Sequence, residues 1–214
     1  MGKLVVIEGV DGAGKRTLAA ALTKALAARG ASVTTGAFPR YGEDVHADLV
    51  REALHGRLGD LTDSVHAMSV LYALDRRGAA EQIRADLAAY DVVLLDRYVA
   101  SNAAYGAARL HQDARGDFVA WVRDLEIGRF EVPVPDLQLL LRVPTEVAAD
   151  RAARREQADA DRTRDTYESD ADLQKRCAQV YDELAADDWL SPWRVVDGSS
   201  DVDTGSLLDG LFTG

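Results

Sequence analysis

The sequence holds a single cysteine, far fewer basic than acidic side chains, and no apolar run near the length of about 18 residues that would span a bilayer. Each shortage excludes a class of protein. A lone thiol, Cys177, forms no internal disulfide, and its place between Arg176 and Ala178 in a helix-like stretch makes it a packing residue. With 25 Lys and Arg against 36 Asp and Glu, the formal charge is -11, the wrong sign for broad nucleic-acid binding; any phosphate site must be a local basic exception. The N-terminus enters a strand pattern rather than a charged head followed by an apolar signal core, so the protein is expected to be soluble and cytoplasmic. Repeats, low-complexity tracts and composition shifts are all missing, and 47% apolar residues suffice for one core, which leads to one domain over residues 1–214. The histidines His46, His55, His66 and His111 are scattered without metal-ligand spacing.

What is present alternates between strand and helix. Residues 3 to 7 are an apolar run ending in Glu8 and a glycine-rich turn, as in a buried parallel strand. A helix follows from Lys15 to about Arg29, with Leu18, Leu22 and Leu26 at four-residue spacing and Gly30 as its stop. Further strands are expected at 32–37, 92–95, 137–141 and 193–196. Helices are expected at 44–55, 62–88, 102–110, 113–129, 144–155, 168–186 and 203–211. The result is an α/β fold of about five parallel strands covered by helices on both faces, with ligands bound at the carboxyl ends of the strands. The helix at 113–129 carries Phe118, Val119, Trp121, Val122, Leu125 and Ile127, more apolar surface than one face needs, which suits a subunit contact.

Gly9-Val10-Asp11-Gly12-Ala13-Gly14-Lys15 fits the G-x-x-x-x-G-K phosphate loop and lies between a buried strand and an amphipathic helix, where that chemistry requires it. The glycines turn backbone N–H groups inward as an anion nest, the helix N-terminus adds positive potential, and Lys15 reaches the β and γ phosphates of a nucleotide. Arg16 stands where Ser or Thr is usual, and the hydroxyl arrives one residue late as Thr17, rotated about 100 degrees around the helix. Metal binding is therefore also sought at Asp11 and at Asp96. The latter opens Asp96-Arg97-Tyr98 at the end of an apolar strand, the arrangement that holds Mg²⁺ or its waters, with Arg97 better suited to a phosphate. Residues 150–165 interleave Arg151, Arg154, Arg155, Arg162 and Arg164 with acidic residues and read as a lid that delivers arginines, or as a solvated helix laced with ion pairs.

Four clusters bear on the acceptor: Phe38-Pro39-Arg40-Tyr41-Gly42, Tyr72-Ala73-Leu74-Asp75-Arg76, Asp96-Arg97-Tyr98 and Ser101-Asn102-Ala103-Ala104-Tyr105. With the phosphate loop and the lid, their order and spacing resemble thymidylate kinase, in particular the actinobacterial form, from Lys3 to about Val196. The resemblance implies a P-loop nucleoside-monophosphate-kinase fold, ATP as donor, Mg²⁺, thymidine monophosphate (dTMP) as acceptor and a homodimer. It also implies roles. Arg97 and Tyr41 bind the acceptor phosphate, Phe38 and Tyr72 line the nucleoside pocket, Arg76 meets thymine O4 and Asn102 its N3 edge. Tyr105 crowds the 2′ position and Asp11 meets the 3′-hydroxyl. Lys15, Arg16 and Arg155 stabilise the moving phosphoryl group, with Asp96, Asp11 and Glu168 near the metal. Two features depart from the family: the position of Tyr72 is usually Phe, and Ala153 and Ala158 stand where arginine is frequent. The rival readings are a kinase of another nucleotide or of a nucleoside, and a P-loop regulatory NTPase. A GTPase is opposed by the lack of an Asn-Lys-x-Asp segment.

Overall fold

The computed structural model describes residues 1–144, 146–148, 151, 166–200 and 202–207, with Glu168 and Ser206 described by backbone alone. In order, the elements are β1 (Lys3–Glu8), α1 (Lys15–Ala28), β2 (Val33–Ala37), α2 (Val45–Leu54), a 3₁₀ turn (Gly59–Asp63), α3 (Val65–Ala89) and β3 (Val92–Asp96). Then come α4 (Val99–Arg109), α5 (Asp117–Arg123) with a π-helical extension (Asp124–Arg129), β4 (Leu137–Arg142), a helical turn (Thr166–Ser169), α6 (Ala171–Ala186), β5 (Trp193–Asp197) and a last turn (Thr204–Leu207). The five strands form one parallel sheet in the order β2-β3-β1-β4-β5. Along β1, β3 and β4 nearly every residue is buried. Since successive side chains point to opposite faces, both faces of the central sheet are covered. The expected fold class is the one observed.

Local chemistry explains where element ends differ from the sequence periodicity. The helix expected over 62–88 starts at Val65, because Ser64 takes the N-cap and its hydroxyl accepts from Ala67 N at 3.2 Å. Asp170 does the same for α6, accepting from Leu173 N at 2.9 Å and separating that helix from the turn before it. The helix expected at 102 begins at Val99, so Asn102 sits within its first turn. Residues 146–148 and 151 are helical, and the rest of the 144–155 expectation lies outside the described residues, as does 208–211 of the last helix.

Leu18, Leu22 and Leu26 all face the core, as their spacing requires. Cys177 is fully buried, and burial pushes its thiol pKa up, which keeps it neutral and inert. The apolar residues of the 113–129 segment have partners within the chain. Phe118, Val119, Val122 and Leu125 are buried within the chain, and Trp121 and Ile127 are half-buried against the same core, so the apolar residues of this segment are largely consumed by its own packing. Phe118 lies over Gly106 of α4 so closely that a Cβ there would fall 2.0 Å from its ring.

Candidate active site

Parallel pairing places the two functional loops side by side. Ile7 of β1 is in register with Asp96 of β3, so the chain leaves both strands at the same edge of the sheet, through the glycine loop on one side and Arg97 on the other. Gly14, the N-cap of α1, is left-handed at φ 103°, and neither a capping side chain nor an acid occupies the first turn. The first N–H groups of the helix therefore remain available to an anion. Lys15 is buried, and its Nζ donates to the carbonyls of Gly9 (3.1 Å) and Val10 (2.9 Å). Burial, then the neighbouring charge of Arg97, brings its pKa down to about 8. Arg16 and Thr17 are exposed at the helix start. Arg151 donates to the carbonyls of Ala13 and Gly198, each at 3.2 Å, bracing the phosphate loop from behind.

At the second loop, Arg97 adopts a left-handed backbone (φ 67°) with its N–H on Ile7 O at 2.9 Å. Its guanidinium donates to Asp11 Oδ1 (2.5 Å), Ser101 Oγ (3.1 Å) and Tyr105 Oη (3.3 Å), and lies 5.2 Å from the Tyr105 ring centre. Asp11 also accepts from Tyr105 Oη at 2.6 Å and Gln174 Nε2 at 3.2 Å. Burial alone would raise the Asp11 pKa, but the cations Arg97 and Lys15 hold it well below the usual carboxylate range. Beneath this layer Glu8 is fully buried and accepts from Tyr98 N (2.8 Å), Ser101 Oγ (2.6 Å) and Tyr181 Oη (3.1 Å), with its pKa raised by burial. Asp96 differs: among the described residues, its buried Oδ1 has no hydrogen-bond partner.

A cavity of about 580 Å³ opens beside the phosphate loop. All eight residues assigned to the acceptor line it: Asp11, Phe38, Tyr41, Tyr72, Arg76, Arg97, Asn102 and Tyr105. Two kinds of lining residue stand out. Arg97 and Tyr41 stand with Arg51 and Arg109 among the wall residues, whereas Arg76 and Asn102 are buried in a hydrogen-bonded group with Glu126. The loop carrying Phe38 and Tyr41 is pinned to α3 by Arg40, which donates to Asp75 Oδ1 at 2.8 Å and to Asp75 O at 2.7 Å.

The family model described as thymidylate kinase matches residues 7–203. The chain belongs to the thymidylate kinase family. It is 56% identical to a thymidylate kinase of Mycobacterium tuberculosis over 95% of this chain and 94% of that one. A thymidylate kinase of Clavibacter sepedonicus is 36% identical, covering 86% and 82% of the two chains. The human thymidylate kinase is 28% identical, covering 94% and 85%. The chain is accordingly an ATP-dependent phosphotransferase that converts dTMP to dTDP.

Sequence reasoning overlooked several residues of this site. Gln174 ties α6 to both the N–H and the carboxylate of Asp11. Glu8, Tyr181 and Ser101 form the support beneath Arg97, and Arg109 pairs with Tyr167 at the cavity wall. Two had a signal: Glu8 is a carboxylate closing an apolar strand, and Glu126 a charge between Leu125 and Ile127. Arg155 and the rest of the 150–165 lid lie outside the described residues except Arg151, as does the Glu168 side chain. Among the described residues no cluster of three or more His, Cys, Asp or Glu is placed to hold a metal, and no helix is long and apolar enough to cross a membrane.

Proposed function

We propose that dTMP occupies this cavity with its base at Arg76 and Asn102 and its phosphate at Arg97, while ATP lies along the glycine loop with its γ-phosphate facing Arg97. The observation that carries this reading is Asp11, which belongs to the phosphate loop and also lines the acceptor cavity. Tyr41 joins Arg97 at the phosphate, Phe38 and Tyr72 flank the base, and Tyr105, anchored on Asp11, crowds the 2′ position of the sugar next to the 3′-hydroxyl held by Asp11.

An oxygen of the dTMP phosphate attacks the γ-phosphorus; the new O–P bond forms as the bond to the β-bridging oxygen breaks, and ADP carries away the electron pair. The attacking oxygen is already anionic, so no strong general base is needed, and catalysis is positioning plus charge stabilisation. Lys15 exchanges its loop carbonyls for phosphate oxygens, Arg16 and Arg97 spread the developing charge, and Arg155 joins them from the lid. The unpartnered Oδ1 of Asp96 would hold Mg²⁺ or its water, with Asp11 and Glu168 as the further carboxylates, and the ion would supply charge neutralisation for the transferring phosphate. The working enzyme is cytoplasmic and homodimeric in this reading, with no nucleic-acid or membrane partner.

ADP release from Mg·ATP, with each nucleoside monophosphate and thymidine offered in turn, tests the assignment. Rapid turnover is expected with dTMP. Turnover of dUMP should be slower by about 10- to 100-fold in kcat/KM, because one methyl group in an apolar pocket is all that separates the two. A better acceptor than dTMP would sink the base assignment, and equal ADP release without any acceptor would point to a regulatory NTPase.

The Lys15 environment predicts a pH profile. Its pKa is lowered to about 8 in the free protein, so the charged form is lost as pH rises through that value. The phosphates of bound ATP favour the ammonium and raise the pKa again. The expected result is kcat/KM for ATP falling above about pH 8 while kcat holds to higher pH. Parallel decline of both parameters would remove Lys15 as the cause.

A further inference from the structure

Glu126 is not a cavity-lining residue, yet it holds two side chains that are. It is fully buried in the π-helical extension of α5, a local widening often found at functional positions. Its Oε2 accepts from Arg76 Nε at 2.5 Å, and its Oε1 accepts from Arg76 Nη2 at 2.7 Å and from Asn102 Nδ2 at 2.8 Å. Asn102 Nδ2 also donates to the carbonyl of Ser69 at 3.0 Å. Both partners of that amide nitrogen are acceptors, so the amide has one admissible orientation. Oδ1 is the atom Asn102 has left for the cavity. Arg76 likewise commits Nε and Nη2 to the carboxylate and keeps Nη1 for the cavity.

We infer that Glu126 is the positioning residue that sets base selection, by fixing an acceptor on Asn102 beside donors on Arg76. That pair complements a pyrimidine edge in which a ring N–H adjoins a carbonyl, as in thymine and uracil. Cytosine offers the reverse, a ring nitrogen acceptor beside an amino donor, and meets like groups on both sides. The inference rests on the placement of dTMP in the cavity. Glu126 acts without touching the substrate: its two oxygens supply three acceptances, and no uncharged side chain of similar size matches that pattern.

Glu126→Gln exchanges one of those oxygens for an amino group that must face a donor. The expected outcome is a fall of about 10- to 100-fold in kcat/KM for dTMP, carried by KM, with the preference for dTMP over dCMP shrinking by a comparable factor. The dTMP to dUMP ratio and the KM for ATP should stay as they are, since neither the methyl group nor the glycine loop is read through Glu126. A merely structural role would instead lower Tm or weaken both substrates while leaving base preference intact. Retention of the dTMP-over-dCMP preference within about threefold overturns the inference. If the unsubstituted enzyme has no such preference, the placement of dTMP itself is wrong and the inference falls with it. Should the Gln protein not fold, Glu126→Asp, which keeps the buried negative charge opposite Arg76, decides by the same ratio.

Discussion

Arg97→Ala is expected to lower kcat/KM for dTMP by about 10³-fold, in line with the loss of a cation placed on a transferring phosphoryl group. Two effects combine. In the proposed placement the acceptor phosphate loses its main donor, and Asp11 loses the guanidinium at 2.5 Å that does most among its neighbours to lower its pKa. Among the described residues the neighbouring wall arginines are already engaged, Arg109 by Tyr167 and the carbonyl of Thr62 and Arg51 by Asp48. The left-handed backbone at φ 67° is already borne by arginine and costs alanine and lysine the same, so Arg97→Lys serves as the control that keeps charge and approximate side-chain length. The informative comparison is calorimetric binding of dTMP and of thymidine. A phosphate-binding role requires dTMP binding to drop steeply while thymidine binding changes little. Equal losses for the two would show that Arg97 shapes the cavity and does not read the phosphate, and would favour a nucleoside as the natural acceptor.

The second large effect falls on the donor side. Gly12→Ala should lower kcat/KM for ATP by about 10²- to 10³-fold, since a displacement near 1 Å in a phosphate nest is enough for such a loss. The added Cβ would lie 2.1 Å from the carbonyl oxygen of Ala148, a backbone atom, on a residue held at φ +82°. Either the glycine loop or the helical segment behind it must move. Gly30→Ala is the matching control: φ there is +83°, but nothing lies within 4 Å of the new Cβ, so only the conformational cost of about 1–2 kcal/mol remains. Gly12 does not line the acceptor cavity, and dTMP binding to Gly12→Ala should therefore survive. An ATP KM within about threefold of the parent would mean the loop absorbs the methyl group and that its rigidity is not required.

Much of this site was legible before any fold was known, for a specific reason. Phosphate chemistry recruits contiguous residues: the nest, its lysine and the helix start all lie between Gly9 and Lys15, so a short segment carries the whole device. Apolar runs ending in Glu8 and Asp96 likewise mark strand ends, and a parallel sheet brings such ends to one edge. The acceptor cavity was readable only as a joint pattern of four clusters, because Phe38, Tyr72 or Arg76 taken singly has an ordinary structural explanation. Helix boundaries were less legible. Ser64 and Asp170 cap helices through hydrogen bonds that compete with periodicity, and the π extension of α5 has no period that a sequence count would register.

The amino-acid sequence by itself determined the parallel α/β fold, the glycine loop, its lysine and the carboxylate at the end of β3, since these depend on local pattern and on chemistry between near neighbours. Only the tertiary structure decided which buried polar groups support them. Gln174 reaches Asp11 across 163 positions, Tyr181 reaches Glu8 across 173, and Glu126 gathers Arg76 and Asn102 from two other elements. A buried donor or acceptor must find a partner wherever packing places one, and packing is a property of the whole chain rather than of any segment.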